Sequence, residues 1–513
     1  MFMMSTPWRA SERPERTGQN VEIIVKKLTG KHAEAGPDSK YAGSSARWVQ
    51  VSLSLSMLMA SLDTSIANAS LPSMARAFSA SFPAAQWIVL SYLLVITSLI
   101  VSLGRLGDMV GRRRLLQVGI LLFTTASLAC GVAPTLGLLI ASRAVQGAGA
   151  AIMMALAVAL AGDASPSVKR GAAMGLLGTM SALGTSLGPS LGGMLVEWLG
   201  WRAIFLVNVP LGLLNVVLAW RYVPHDAPTP ADVRRAFDWP GTLLLAFTLG
   251  AYSLAMTIGG GRGVLLAGLL AGTLVGLALI IAVESRSTSP LLRLDVLRDP
   301  CTRASLVMSA LVSTVIMATL VVGPFYLSRG LRLQPGTVGL VLSIGPLVAA
   351  LASVPAGRVV DRLGAGRMTI VGLIGMAGGC TLLSIMPVGL GVLGYGASIC
   401  VTTAGYAMFQ TANTTSLMSK VAADQRGITS GMLNVARNLG LISGASAMGA
   451  VFAFAAGSGD LQTASPAAVA DGLHLTFAVG AMLIGGAIVI AVRGVGAARV
   501  LHDGARNSCT VAA

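Results

Sequence analysis

Gly104-Arg105-Leu106-Gly107-Asp108-Met109-Val110-Gly111 returns later in the chain as Gly357-Arg358-Val359-Val360-Asp361-Arg362-Leu363-Gly364. Both copies spell G-R-x-x-D-x-x-G, and both follow the second long apolar run of what would be a half. Two homologous bundles fit this spacing, each of six helices, with two further apolar runs between them. Parallel halves of this kind are a known plan of secondary transporters with a midplane site.

The runs around the copies set the fold class. The chain has 513 residues, 54% hydrophobic and only 11% charged, with a mean hydropathy of +0.77. Soluble domains carry roughly 25% charged residues. Stretches of about 20 apolar residues, each enough for roughly 30 Å of hydrocarbon, recur along its length. They are continuous rather than alternating, which excludes a β-barrel. The expectation is an all-α membrane protein of fourteen spans. Residues 1–46 read as a disordered cytoplasmic tail without the apolar core of a signal peptide. Residues 47–222 read as the first six-helix bundle, 223–302 as a linker with two inserted spans, 303–493 as the second bundle, and 494–513 as a cytoplasmic C-terminal tail.

The net charge of +16 follows from topology rather than from a nucleic-acid partner. With the N-terminus inside, the loops on the opposite side hold only Arg76, Arg202, Arg262, Arg329 and Arg332. Arg143 and Arg437 fall inside spans, and every other Lys and Arg lies on the N-terminal side. That asymmetry puts both termini in the cytoplasm. The five Cys form no CxxC pair, and the four His sit in tails or loops, so no metal site is indicated. A membrane enzyme lacks its residues here, and the absence of G-x-x-x-x-G-K-[ST] disfavours a nucleotide-driven pump.

One acid stands out, in Leu62-Asp63-Thr64-Ser65-Ile66-Ala67-Asn68-Ala69-Ser70-Leu71-Pro72. A charged side chain near the bilayer centre costs about 2.5–3.5 kcal/mol on insertion scales, and such residues are functional candidates by default. Asp63 lies roughly 12 Å from the far end of its helix, and Arg143 lies roughly 10 Å from the same end of the fourth, at about 1.5 Å per residue. Opposite charges at one depth should meet or share water. Arg437 is also buried by this reading, and is expected to bond backbone or the loop at Asp361.

At these motifs the chain resembles the major facilitator superfamily, in particular its fourteen-helix drug:proton antiporter branch, over about residues 47–493. The resemblance implies gating by Gly104, Asp108, Gly111 and Arg112 in the loop between helices 2 and 3, with Asp361 as the counterpart. The second copy departs by carrying Ala365 where the first has Arg112. Leu139-Ile140-Ala141-Ser142-Arg143-Ala144-Val145-Gln146-Gly147 resembles the superfamily's helix 4 motif, whose Arg is implicated in proton coupling; Asp63 would be the helix 1 carboxylate. Gly184, Gly188, Pro189, Gly192 and Gly193 match the helix 5 motif of exporters. Phe205-Leu206-Val207-Asn208-Val209-Pro210 resembles a further signature of the branch.

The implied function is proton-coupled efflux of small lipophilic compounds by alternating access, in a multi-pass cell-membrane protein acting as a monomer. It would need no cofactor beyond the proton gradient, and no partner beyond the lipid bilayer, protons and substrate. The second half holds no carboxylate in a span, so neutral or monovalent cationic substrates are expected over dications. The expected cavity lining is Tyr92, Met153, Met154, Phe325, Tyr326, Tyr406, Gln410 and Asn413. An exporter of an endogenous lipid or secondary metabolite, and a proton-coupled uptake symporter, share the same fold.

Overall fold

The computed structural model describes residues 43–164, 170–223, 239–257, 263–286, 299–420, 426–457 and 464–511. Residues 1–42 of the N-terminal tail, Arg262 and the loop acids Asp424 and Asp460 lie outside these residues, while residues 43–46, read from sequence as tail, already belong to the first helix. The chain is helical throughout what is described. The first half holds α1 (Gly43–Ala77), α2 (Phe82–Val110), α3 (Arg112–Val132), α4 (Leu136–Ala164), α5 (Arg170–Leu199) and α6 (Ala203–Tyr222). Then come α7 (Trp239–Thr257) and α8 (Gly263–Arg286). The second half holds α9 (Pro300–Gly330), α10 (Pro335–Leu363), α11 (Ala365–Ile385) and α12 (Gly391–Lys420). It ends with α13, which runs Arg426–Ser443 and continues through a π turn into Gly449–Ala455, and α14 (Pro466–Val511). Helix α14 thus runs on past Arg493, where the sequence reading ends the span and starts a tail.

Twelve of these helices are long and apolar enough to cross a membrane. The exceptions are α5 and α8. Helix α5 has 30 residues but is diluted by Gly, Ser and Thr, and α8 offers the shorter apolar stretch Val264–Ile280.

Local chemistry sets the helix ends. Ser81 caps α2 by accepting from the Ala84 amide, with Pro83 in the first turn. Asp299 caps α9 by accepting from the Thr302 amide at 2.8 Å. The repeated motif folds twice into one turn. Gly111 has φ 106°, ψ 126° and Gly364 has φ 90°, ψ 138°. Each donates its amide back one turn, to Gly107 at 3.0 Å and to Val360 at 2.9 Å. The left-handed φ explains why both copies end in Gly.

Helix α7 lies against the outside of α2. Ser102 and Thr242 share a 2.7 Å hydroxyl contact, and Trp87 Nε1 donates to Thr257 Oγ1 at 3.2 Å. Helix α8 packs on α7 and leaves Leu274, Val275 and Leu279 exposed.

The contacts seen between the halves cluster at one end of the molecule. Phe82 at the start of α2 packs edge-on against Phe325 and Phe452, with ring centroids at 4.7 and 5.4 Å. Gln86 Nε2 donates to the Ala445 carbonyl at 2.5 Å. The amide of Gly336, at the start of α10, donates to Glu197 Oε2 at 2.8 Å. Arg76, Arg202, Arg329 and Arg332 lie at this same end.

Candidate functional site

Two features sit in the interior: a sealed polar network in the first half, and a cavity between the halves.

Asp63 and Arg143 meet. Arg143 Nη1 donates to Asp63 Oδ2 at 2.5 Å, and the two side chains are 1% and 0% exposed. Two amides complete the carboxylate's shell: Gln146 Nε2 and Asn208 Nδ2 each donate to Oδ1 at 2.8 Å. Gln146 lies one helical turn beyond Arg143 on α4 and accepts from Arg143 Nη1 at 2.7 Å. It also donates to Ser127 Oγ on α3 at 2.8 Å. Arg143 Nε donates to the Ile88 carbonyl at 3.1 Å, and its guanidinium lies 4.1 Å from the Tyr92 ring centroid. Helices α1, α2, α3, α4 and α6 thus converge on one carboxylate. A buried ion pair persists only when its remaining donors and acceptors are largely answered. Here Arg143 Nη2 is the guanidinium nitrogen left without a partner.

Sequence reasoning missed Gln146 and Asn208 as partners of Asp63. The signal was present, since each is a lone amide within an apolar run of a quoted motif.

Small residues carry α5 close to this site. On one face, Gly184, Gly188 and Gly192 contact α1. A Cβ on Gly184 would lie 2.6 Å from the Leu58 carbonyl oxygen, and one on Gly192 would lie 3.2 Å from Ile66 Cγ2. Ser65 Oγ donates to the Thr185 carbonyl at 2.9 Å, and Ser61 and Ser181 share a 2.6 Å contact. On another face, Gly193 meets the other half: its Cβ would lie 3.0 Å from the Gly339 Cα. The Pro189 carbonyl approaches Gly339 as well. Helix α5 therefore touches both the Asp63-bearing helix and α10 across the interface.

In the loop motif, Gly111 makes the turn and Arg112 opens α3, half-buried. Gly104 and Asp108 lie within α2, and the Asp108 side chain falls outside what is described. Arg113 Nη2 donates to the Trp220 carbonyl at 2.6 Å, tying the start of α3 to the last turn of α6. Asp361 is exposed in the last turn of α10.

The cavity, of about 280 Å³, lies between the halves at mid-depth and is lined by α1, α2, α4, α5, α9, α10, α12 and α13. It corrects most of the expected lining. Met154 and Tyr406 are on the wall. Met153, one residue from Met154, points into the protein and is fully buried. Tyr92 is held under Arg143 and donates to the Ala60 carbonyl. Phe325 packs on Phe82, and the Tyr326 ring lies tilted by 30° against Tyr395, centroids 5.8 Å apart. Asn413 turns to α9, donating to Ser309 Oγ at 2.9 Å. Gln410 is half-buried and off the wall. Arg437 is a further correction, because it lines the cavity and bonds neither Asp361 nor the backbone of any described residue. Among the described residues no Asp or Glu lines the cavity, and no His, Cys, Asp and Glu cluster fit to hold a metal is found.

Comparison with known proteins agrees with this architecture. A family model described as the Major Facilitator Superfamily matches residues 53–445. The "Multidrug resistance protein Stp" of Mycobacterium tuberculosis is 32% identical over 415 residues, covering 79% of this chain and 75% of that protein. The "Drug efflux pump JefA" of the same organism is 32% identical over 419 residues, covering 78% and 79%. The "Riboflavin transporter RibZ" of Clostridioides difficile is 29% identical over 415 residues, covering 79% and 88%. Among solved structures, a bacterial homolog of the human lysosomal transporter Spinster, in an inward-facing and occupied conformation, matches with a TM-score of 0.66. It covers 88% of this chain and 97% of its own at 15% identity, a likeness of fold. With two helical halves, a repeated turn, a cavity between the halves and a family match over most of its length, this chain belongs to the major facilitator superfamily and is a multi-pass membrane transporter.

Proposed function

We propose that this transporter exports small lipophilic molecules in exchange for protons. It would cross the membrane fourteen times, α5 and α8 included, with both termini in the cytoplasm. The observation that carries the reading is Asp63, sealed with Arg143, Gln146 and Asn208 on the helix whose next residues, Thr64 and Ser65, line the cavity. A proton arriving at Oδ2 competes with the Arg143 N–H for one oxygen. Proton uptake and release of Arg143 are then a single event, and α1 and α4 must shift to allow it. Because α5 packs on α1 and on α10, that shift reaches the contact between the halves.

Orientation comes from the charges. The end joined by Phe82, Gln86 and Glu197 bears the few arginines of the sparse side and is taken as the outer one. The cavity then loads from the cytoplasm, and breaking those contacts releases substrate outside. One proton falling through about 100 mV supplies roughly 2.3 kcal/mol, against about 1.4 kcal/mol per tenfold gradient of a neutral compound. One proton per cycle thus sustains tens-fold expulsion.

Relatives named as a multidrug resistance protein and a drug efflux pump support export. A relative named as a riboflavin transporter keeps an endogenous metabolite as the second reading of the substrate. The test is dye movement in proteoliposomes under an imposed pH gradient. Wild type should drive dye against its gradient when protons flow the opposite way. Proton-driven movement in the same direction as protons would make it a symporter and overturn export.

A further inference from the structure

The cavity carries a charge that no described residue answers. Arg437 lies eleven residues into α13, about 16 Å along the helix axis, close to half of the roughly 30 Å hydrocarbon thickness. It lines the cavity beside Asn438, is half-buried, and makes no hydrogen bond or ion pair to a described residue. Its nitrogens are not sealed in protein. Among the described residues it is the one charged side chain on the wall; Tyr395 and Tyr406 are the other titratable groups there. The carboxylate of Asp63 is already engaged in its own network and is off the wall.

A second, independent observation lies on α1. Asn68 is 1% exposed and lines the same cavity, and neither its amide nitrogen nor its amide oxygen has a partner among the described residues. Buried amides are normally hydrogen-bonded, so an amide empty on both atoms and facing a cavity points to a ligand. The rest of the wall is largely apolar, with Ile316, Leu320, Leu342 and Leu441.

We infer that the cavity takes a lipophilic monoanion, an organic carboxylate whose oxygens sit on Arg437 and whose apolar body lies on the aliphatic wall, with Asn438 and Asn68 supplying polar contacts. A guanidinium is a planar fork matched to a carboxylate. One cation balances one negative charge, so a dianion would enter with charge uncompensated, and a cationic compound would meet like charge. This departs from the neutral or monovalent cationic substrates expected from sequence. The inference rests on the cavity being the transport site, and is independent of proton coupling.

The test is equilibrium binding to the full-length protein in detergent at neutral pH, with no gradient. The probes are pyrenebutyrate, its methyl ester, and the trimethylammonium analogue of the same scaffold. Wild type should bind the acid at least about tenfold tighter than the ester, the scale of a charge-assisted hydrogen bond, with the cation weakest. R437Q should bring acid and ester to within about twofold of each other by weakening the acid alone. R437K, which keeps the charge, should retain most of the preference. A wild-type ratio near one, a cation that binds tightest, or a preference that survives R437Q would each overturn the inference. Should R437Q not fold, the wild-type ratio and R437K decide. D63N should keep the acid preference in this assay while losing gradient-driven transport. Loss of the acid preference with proton-driven efflux intact would therefore sink this inference alone.

Discussion

Asp63 accepts from three donors on two helices and lies beyond the reach of water. Removing one partner of a buried ion pair leaves the other uncompensated, which costs about 3–5 kcal/mol. Arg143→Ala should therefore lower the melting temperature of the purified protein sharply. The double change Asp63→Asn with Arg143→Gln should recover much of that loss without recovering transport. Equal melting points for the single and double variants would show that the pair carries no such strain. The pairing was legible because α-helical rise puts both residues at one depth. The amide partners were not weighed, because Gln146 and Asn208 read as isolated polar residues until α4 and α6 face the same carboxylate. Arg437 shows the opposite failure. A buried Arg in a sequence invites a protein partner, and only the structure shows it on a wall with no partner among the described residues.

Among the elements, α5 couples site and interface because its two small-residue faces differ in what they touch. Gly188→Leu should separate α1 from α5 and abolish transport while the protein still reaches the membrane. Gly193→Leu acts elsewhere, against Pro335 and Gly339. It should hold the outer end open, raising thiol labelling of a cysteine placed at Val338, which is buried on the same helix, over that in otherwise unchanged protein. Unchanged labelling would contradict the assignment of this contact as the outer seal. The Gly111 and Gly364 turns are a further element-scale case. Ala at either costs about 1–2 kcal/mol from the left-handed φ, so thermal melts should fall alike for both. Helix faces were the illegible part. Successive residues point about 100° apart on a helix, and so Met154 lines the cavity while Met153 is buried behind it.

At the scale of the whole molecule, an all-helical membrane fold was readable from the length of the apolar runs, and the paired turns at Gly111 and Gly364 from one repeated octapeptide. The number of crossings was less so. Helix α5 gives up hydropathy for the small residues that let it pack closely, and α8 has only a short apolar stretch. Charge movement is the property that belongs to this scale. Export of a neutral ester against one proton moves one charge per cycle, whereas export of a monoanion against one proton moves the equivalent of two. An inside-negative potential of about 100 mV should thus add roughly 2.3 kcal/mol to ester export and about twice that to acid export. Steady-state gradients of the pyrene pair under a clamped potential check this, and equal potential dependence would rule it out.

The most direct measurement is substrate-triggered proton movement in sealed proteoliposomes, followed by an internal pH dye at zero membrane potential. Adding pyrenebutyrate to wild-type vesicles should move protons opposite to the substrate, and Asp63→Asn should bind the probe yet move none. Proton counterflow that persists at the wild-type rate without the Asp63 carboxylate would contradict the account.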